Sequence, residues 1–349
     1  MTQQITINAP SPPLSTAPAT FASQPSFTQK LLNFLVSVPS DAQNNQITSF
    51  AEAQSTAQPG TYNFLGYRSR VRISNASAPS ASFADISIYG LSQSLMNQLA
   101  TLGVVINSVS KNSIIVSAGA SSVSDASSLN AVQVPPTGFP VVFGGTFWFA
   151  FGDYNSMPDV PFRITAYGGL IDAVQSAAPS SFTGPTSIVS IMQGFAQKLG
   201  VPFENNGVTG SISNPYFPGT LLQQLYQAAE HAFIHAQLVD GGTKLAIWPI
   251  GGSRTSQTNV PLISPDTGMI GYPSFAQNGF LVVKMVFNPD VVLGGNIRVQ
   301  SDIPQANKTW NVFSLDLALD SLIPDGDWMA TAVCQPVGVN AGVPPAVKS

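Results

Sequence analysis

The sequence predicts an α+β chain that is predominantly β, arranged as two β-barrel-like units with a small α/β insert between them. Three observations point there. Short alternating runs rich in Val, Ile, Phe and Tyr, bounded by Gly, Pro, Asn or Asp, recur before residue 180 and again after 259. Between those limits the apolar spacing changes to that of helices. A hydrophobic content of 44% in 349 residues is ample for sizeable cores, and the length suits about two domains.

Residues 1–27 hold no charged residue and are rich in Pro, Ser, Thr, Gln and Ala. Such a segment cannot bury enough surface to fold alone, so it reads as a flexible neutral arm. Residues 28–180 form the first β unit, with strands expected in "LLNFLVSVPS", "RSRVRIS", "FADISIYG", "SIIVSAG", "VVFGGTFWFAFGD" and "VPFRITAYGG". One helix interrupts them. Ser92 caps it, Leu95, Leu99 and Leu102 lie at core spacing, Gly103 ends it, and Leu91 with Met96 can form a hydrophobic staple.

Residues 181–258 form the α/β insert of two helices and a hairpin. Pro185 is placed to open the first helix, whose Ile188, Ile191, Met192, Phe195 and Leu199 form one stripe before Gly200. Thr220 caps the second, with Leu221, Leu225, Ala228, Ala229 and Ala232 inward. "FIHAQLV" and "TKLAIWPI" flank Asp240-Gly241-Gly242, which supplies the positive φ angles of a hairpin turn. Residues 259–340 return to strands as the second β unit, and 341–349 are a Gly/Pro-rich tail; no exact sequence repeat links the two units.

Charged residues make up 9% of the chain, against about 25% in an ordinary soluble domain. Charge keeps soluble proteins apart, and permanent interfaces deplete Lys, Glu and Asp, so this composition suits a surface covered by neighbours. A β-rich extracellular domain with a neutral, hydroxyl-rich surface is the other reading. A net charge of -4 excludes a strongly basic nucleic-acid binder. The single Cys334 permits no internal disulfide, and "MATAVCQP" places it in a buried strand. The first residues have neither the basic start nor the apolar core of a secretory signal. The longest apolar run, "VVFGGTFWFAF", is far shorter than the roughly 20 residues of a membrane helix. With no export signal, the sequons at Asn75 and Asn307 carry little weight.

No catalytic, cofactor or metal site emerges from the motifs. "SPDTGMIG" contains the Asp-Thr-Gly of aspartic proteases, but Pro265 precedes Asp266 and no second copy supplies the partner carboxylate, so turn chemistry is the better reading. His231 and His235 have the spacing of a helical metal pair, yet Glu230 lies outside them and the helix is expected to end near Ala232. No G-x-S-x-G elbow, P-loop or dinucleotide fingerprint occurs. Alternation in "FWFAF" puts Phe147, Phe149 and Phe151 on one face and Trp148 and Ala150 on the other, as in a strand buried on both sides; a sugar-stacking surface is the alternative.

"GYRSRVRIS" concentrates Arg68, Arg70 and Arg72 on one face of an extended strand, with Val71 and Ile73 on the other. Like charges about 7 Å apart repel by roughly 0.6 kcal/mol in water and several-fold more in a dry contact, so that face is wet or matched by acids. Asp85 on "FADISIYG" is a candidate cross-strand partner.

Several stretches, "ADISIYGLSQSLMNQLATLG", "PDVPFRITAYGGLIDAV", "ENNGV", "NPYFPGTLLQQ", "LAIWPIGG", "LISPDTGMIGYP", "GGNIRVQS", "TWNVFSLDLALDS" and "DWMATAVCQP", resemble the baseplate hub proteins of contractile-tailed bacteriophages, in consistent order over roughly residues 60–336. The resemblance implies a non-enzymatic structural protein of the virion tail baseplate, made in the host bacterial cytoplasm and needing no cofactor. It implies two tail-tube-like β-barrel domains per subunit and a homotrimeric ring that adapts the sixfold tail tube to the threefold central spike. Implied partners are further copies of the chain, the tail tube and central spike proteins, and as further candidates the tape-measure and wedge proteins. Genome DNA would traverse the lumen without specific binding. Arg68, Arg70, Arg72 and Asp85 then become interface candidates, at a subunit or tube contact or beside the lumen. A carbohydrate- or receptor-binding tail protein is the competing function.

Overall fold

The structure is a computed structural model that describes residues 28–38, 60–76, 82–100, 112–122, 139–169, 173, 176–254, 260–276 and 279–338. The arm at 1–27 and the tail at 341–349 lie outside the described residues.

The first half supplies β1 (Thr28–Ser37), β2 (Thr61–Leu65), β3 (Ser69–Ala76), β4 (Phe83–Tyr89), helix α1 (Gln93–Leu99), β5 (Ser113–Ser122), β6 (Val141–Gly152) and β7 (Pro161–Tyr167). The insert holds β8 (Ser180–Ser181), β9 (Pro185–Ser187), α2 (Ile188–Leu199), β10 (Phe203–Asn205), β11 (Ser211–Ser213), β12 (Tyr216–Phe217), α3 (Leu221–His231), β13 (Ile234–Val239) and β14 (Lys244–Pro249). The last part supplies β15 (Leu262–Ile263), β16 (Ser274–Phe275), β17 (Leu281–Val286), β18 (Asn296–Val299), β19 (Thr309–Ser321) and β20 (Trp328–Pro336).

Period-2 patterning sets the strands. In β4, Ala84, Ile86 and Ile88 are buried while Asp85 is exposed; in β17, Leu281, Val283 and Met285 are buried while Lys284 is exposed. These inward residues share one core with Val71, Ile73, Ile164, Leu317 and Ala332, so both halves of the chain bury their apolar faces together. A fully buried Val, Leu, Ile or Phe side chain contributes about 1.5–3 kcal/mol.

One antiparallel path carries the hydrogen bonds, in the order β16-β17-β20-β19-β3-β4-β7-β6-β5-β1-β2, with β18 paired to β19 and β15 to β18. Among the described residues this sheet does not close on itself. Its central junction pairs β3 with β19, setting Val71 opposite Leu319 and Ile73 opposite Leu317. Strands far apart in sequence thus form a single seam.

The strand order repeats. β16-β17-β20-β19 runs first, second, fourth, third in chain order, and β3-β4-β7-β6 runs the same way. The third strand of each set is bulged, between Phe147 and Phe149 in β6 and between Val312 and Ser314 in β19. Before the bulge each pairs with the strand that precedes it, β5 for β6 and β18 for β19. After its bulge β19 pairs with β3.

The insert packs α2 and α3 on the three-stranded sheet β10-β14-β13, around Met192, Phe195, Phe217, Leu225, Leu245 and Ile247. Gly200 closes α2 at φ +70°, and Thr220 and Gln223 close a reciprocal capping box on α3. The Asp240-Gly241-Gly242 tip abuts β6. A Cβ at Gly241, whose φ is +71°, would lie 2.6 Å from Val141 Cγ1.

Three local expectations are corrected. α1 ends at Leu99, and Ala100 turns extended at ψ 140° with its N–H on the Met96 carbonyl; Leu102 and Gly103 lie outside the described residues. Pro185 belongs to β9, where it pairs with Ser213, and α2 starts only after Ser187. In "FWFAF" the bulge resets the alternation: Phe147 and Ala150 are fully buried, whereas Trp148 and Phe149 are 40% and 39% exposed.

Candidate assembly face

The sheet face opposite the core is a grid fixed by register. One row crosses β7, β4, β3, β19, β20 and β17 as Thr165, Asp85, Arg72, Ala318, Met329 and Val286. The next reads Tyr167, Phe83, Ser74, Asp316, Thr331 and Lys284. On the other side lie Arg163, Ser87, Arg70 and Asp320. Asp85, Arg72, Asp316, Lys284, Arg163, Arg70 and Asp320 of a charge-poor chain therefore share this one face.

The arginine row is matched by acids across the seam. Arg72 Nη1 donates to Asp320 Oδ1 at 2.7 Å and its Nη2 to Asp327 Oδ2 at 2.8 Å, while Arg70 Nε lies 3.4 Å from Asp320. Asp320 Oδ2 also accepts the Asp327 backbone N–H at 3.2 Å, and its side chain is only 2% exposed. Arg68, just before β3, pairs with Asp159 at 2.9 Å and stacks over Tyr89 at 4.2 Å.

Asp85 stands opposite Arg72 in the register, but its carboxylate accepts from Thr165 Oγ1 at 2.8 Å. The guanidinium leans the other way, over the small Ala318, to reach two carboxylates instead of one. Asp320 and Asp327 are the partners that sequence reasoning missed. The signal was present in "FSLDLALDS", where Asp316 and Asp320 fall on one strand face.

Further ion pairs hold the edges of this frame. Arg163 Nε meets Asp153 Oδ2 at 2.8 Å; the Ser156 hydroxyl and this arginine together hold the Asp153 carboxyl below its ordinary value. At the insert, Arg254 is 4% exposed and joins Glu204 and Asp240, each at 3.0 Å, while Lys244 joins the same two acids at 3.3 and 3.0 Å. Burial opposes ionisation of Asp240, but the hydrogen bonds from Arg254 and Lys244 outweigh it and hold its pKa below the usual value.

The motifs weighed for chemistry are absorbed by structure. His231 ends α3 with its ring on Phe217, whereas His235 lies on β13, stacked on Trp248, and burial pushes its pKa down. Among the described residues no group of three His, Cys, Asp or Glu could hold a metal. Asp266 sits in a 3-10 turn whose Thr267 hydroxyl bonds the Leu262 carbonyl, and Gly268 at φ +103° ends it. Ser180 Oγ accepts from Lys198 Nζ at 2.9 Å and donates to Gln224 Oε1 at 2.7 Å, so its proton is directed away from the amine. That trio is structural.

Solved structures place this fold among phage tail proteins. The tail protein from Neisseria meningitidis MC58 aligns at TM-score 0.58 and 10% identity, over 89% of this chain and 98% of that one. The 43 kDa tail protein of prophage MuSo2 from Shewanella oneidensis aligns at 0.54 and 8% identity, over 88% and 97%. The c3393 protein of E. coli, described as a type VI secretion component with structural similarity to the T4 tail proteins gp27 and gp5, aligns at 0.51 and 10%, over 80% and 76%. No curated protein matches the sequence. Residues 66–334 match the family model for the baseplate hub gp41, and the chain belongs to that family. It is a structural protein of the phage tail baseplate.

Proposed function

We propose that the chain forms a homotrimeric hub ring, made of two tail-tube-like β domains per subunit, that joins the sixfold tail tube to a threefold central spike. The repeated strand order carries this reading. Three copies of a chain containing two similar four-strand sets present six sets, which suits a sixfold tube on one side while the ring itself keeps threefold symmetry.

In this reading the gridded polar face lines the lumen, and Arg68, Arg70, Arg72 and Asp85 belong to its wall. The arginines on and beside that face are neutralised within the subunit, by Asp159, Asp320, Asp327 and Asp153. Affinity for duplex DNA depends chiefly on uncompensated cations at the phosphates. A wall whose arginines are already paired, leaving Lys284 as the further cation on that face, lets a genome pass while holding it little. The low charge of the whole chain fits a surface covered by neighbouring copies, tube and spike; tape-measure and wedge proteins are further contacts of this assembly.

Electron microscopy of the purified chain, alone and with its tube protein, tests this. Threefold rings with a central channel that cap tube ends are expected. Solid particles without a channel that bind a glycan matrix and not the tube would replace this reading with the receptor-binding one.

A further inference from the structure

The sheet path ends on β2, and that end is built like a strand that has a second neighbour. The Val38 N–H bonds the Gly60 carbonyl, which fixes the ladder: Tyr62 and Phe64 turn their backbone groups toward β1, and Thr61, Asn63 and Leu65 turn theirs away from it. Among the described residues no strand takes that second edge. Exposed edges are ordinarily guarded by charge, proline or a bulge, whereas "TYNFL" pairs with β1 in unbroken register and carries none of these. On the same strand the Asn63 side chain is covered from water with neither its Oδ1 nor its Nδ2 bonded. A buried amide without partners is costly, so this one calls for a hydrogen-bonding neighbour.

We infer that the edge of β2 is completed by the chain's own residues Gln3–Asn8, added as a further strand within the same copy. "QQITIN" alternates, with Ile5 and Ile7 on one face and Gln4, Thr6 and Asn8 on the other. β2 alternates to match: the Tyr62 and Phe64 rings stack on the core side, and Thr61, Asn63 and Leu65 point to the outer side. Laid along the edge, the two isoleucines extend the apolar side beside Tyr62 and Phe64, and the amides and hydroxyl of Gln4, Thr6 and Asn8 come beside Asn63, where they offer both the donors and the acceptors its amide needs. The outward N–H and C=O groups of Thr61, Asn63 and Leu65 pair with the added main chain, the usual mode of strand addition. Neither segment carries a charge that would oppose the pairing.

The tether fits the same copy. β1 begins at Thr28, and Asn63 lies opposite Leu35, about 23 Å further along the strand. Residues 9–27 join the added strand to β1, and a coil of that length has a root-mean-square reach of about 24 Å. Effective concentration is greatest where reach and span agree, so the edge is filled from within before another copy's segment can compete.

Backbone hydrogen exchange, read residue by residue, tests this in the full chain and in a chain lacking residues 3–8. The Asn63 and Leu65 N–H groups are expected to exchange about fivefold to tenfold faster in the shortened chain, the loss of one hydrogen bond each, while the Tyr62 and Phe64 N–H groups that face β1 keep their rates. The full-length double variant Ile5→Asp, Ile7→Asp should give the same pattern, and it carries the comparison should the shortened chain lose its cooperative unfolding. Unchanged rates at Asn63 and Leu65 in both proteins overturn the inference. Shortened chains refolded together with the full chain should stay unprotected; protection regained in the mixture would assign the strand to a neighbouring copy and overturn the placement within one. The exchange pattern is the same for a monomer as for a trimer, so its failure leaves the ring reading untouched, and failure of the ring leaves this strand in place.

Discussion

Arg72 and Asp320, 248 residues apart in the sequence, meet at 2.7 Å on the outer face of the sheet, beside the line where the first and last parts of the chain pair. The contact lies on that seam, β3 against β19, so what fastens a charge row also fastens the two strand sets to each other. Asp320 gathers Arg70, Arg72 and the Asp327 amide around one carboxylate.

Asp320→Ala leaves Arg70 without its acid and Arg72 with Asp327 alone, and removes an acceptor from the Asp327 amide. Removing one partner of a largely buried pair costs about 3–5 kcal/mol, and the exposure of both arginines reduces this to about 2 kcal/mol. Asp327→Ala, at a more exposed carboxylate, costs less than about 1 kcal/mol. Urea denaturation of the three proteins gives the comparison. Equal midpoints for the two variants would show that the seam does not depend on Asp320.

Arg70→Glu places a second carboxylate beside Asp320, lowering stability by about 1–2 kcal/mol while leaving the ring assembled, since this residue faces the channel in the proposed assembly. Native mass after the substitution checks it. Loss of the oligomer with an unchanged unfolding midpoint would move the arginine row from the lumen to a contact between subunits.

Asp240 gives the insert an acid-sensitive anchor. Its folded pKa is held below the unfolded value, so its contribution is fully present above about 4 and is lost as pH falls through the folded pKa. The stability difference between the parent and Asp240→Asn should therefore be largest at neutral pH and shrink below about pH 4. Unfolding midpoints from pH 7 to pH 2.5 measure this. A difference that grows towards acid would contradict the assigned direction.

Gly241→Ala tests the docking of the hairpin tip. The added Cβ meets Val141 at 2.6 Å and the residue must keep φ +71°. Left-handed strain of about 1–2 kcal/mol and crowding of about 1–3 kcal/mol combine against it. Proteolysis should then release the insert faster than in the parent; an unchanged digestion rate would show that the tip tolerates displacement.

Cys334 is fully buried on β20, and burial pushes its thiol up to about 12. It should stay silent to a thiol reagent at pH 8 in native protein and react fully in denaturant. Rapid native labelling would place β20 away from the core.

Much of this fold is legible in the residues, because local rules act over short distances. The Thr220 cap, Gly200 and the Asp240-Gly241-Gly242 turn each fall where a side-chain oxygen or a positive φ is required. Strand faces follow from alternation in β4 and β17. The Phe147–Phe151 stretch was misread because a bulge adds one residue to a strand and leaves no composition mark, so Trp148 and Phe149 turned outward unannounced. Pro185 fits either a helix start or a short edge strand, and its pairing with Ser213 decided the matter. The arginine row raised the right question, yet the partners of Arg72 came from 248 and 255 residues away. The repeated strand order is invisible in sequence because β3 and β16 share register position without sharing residues.

The native mass of the purified full chain at micromolar concentration is the most direct test of the hub ring. A single species at three times 36.6 kDa, unaffected by reducing agent, is predicted. A single species at 36.6 kDa under the same conditions would contradict it.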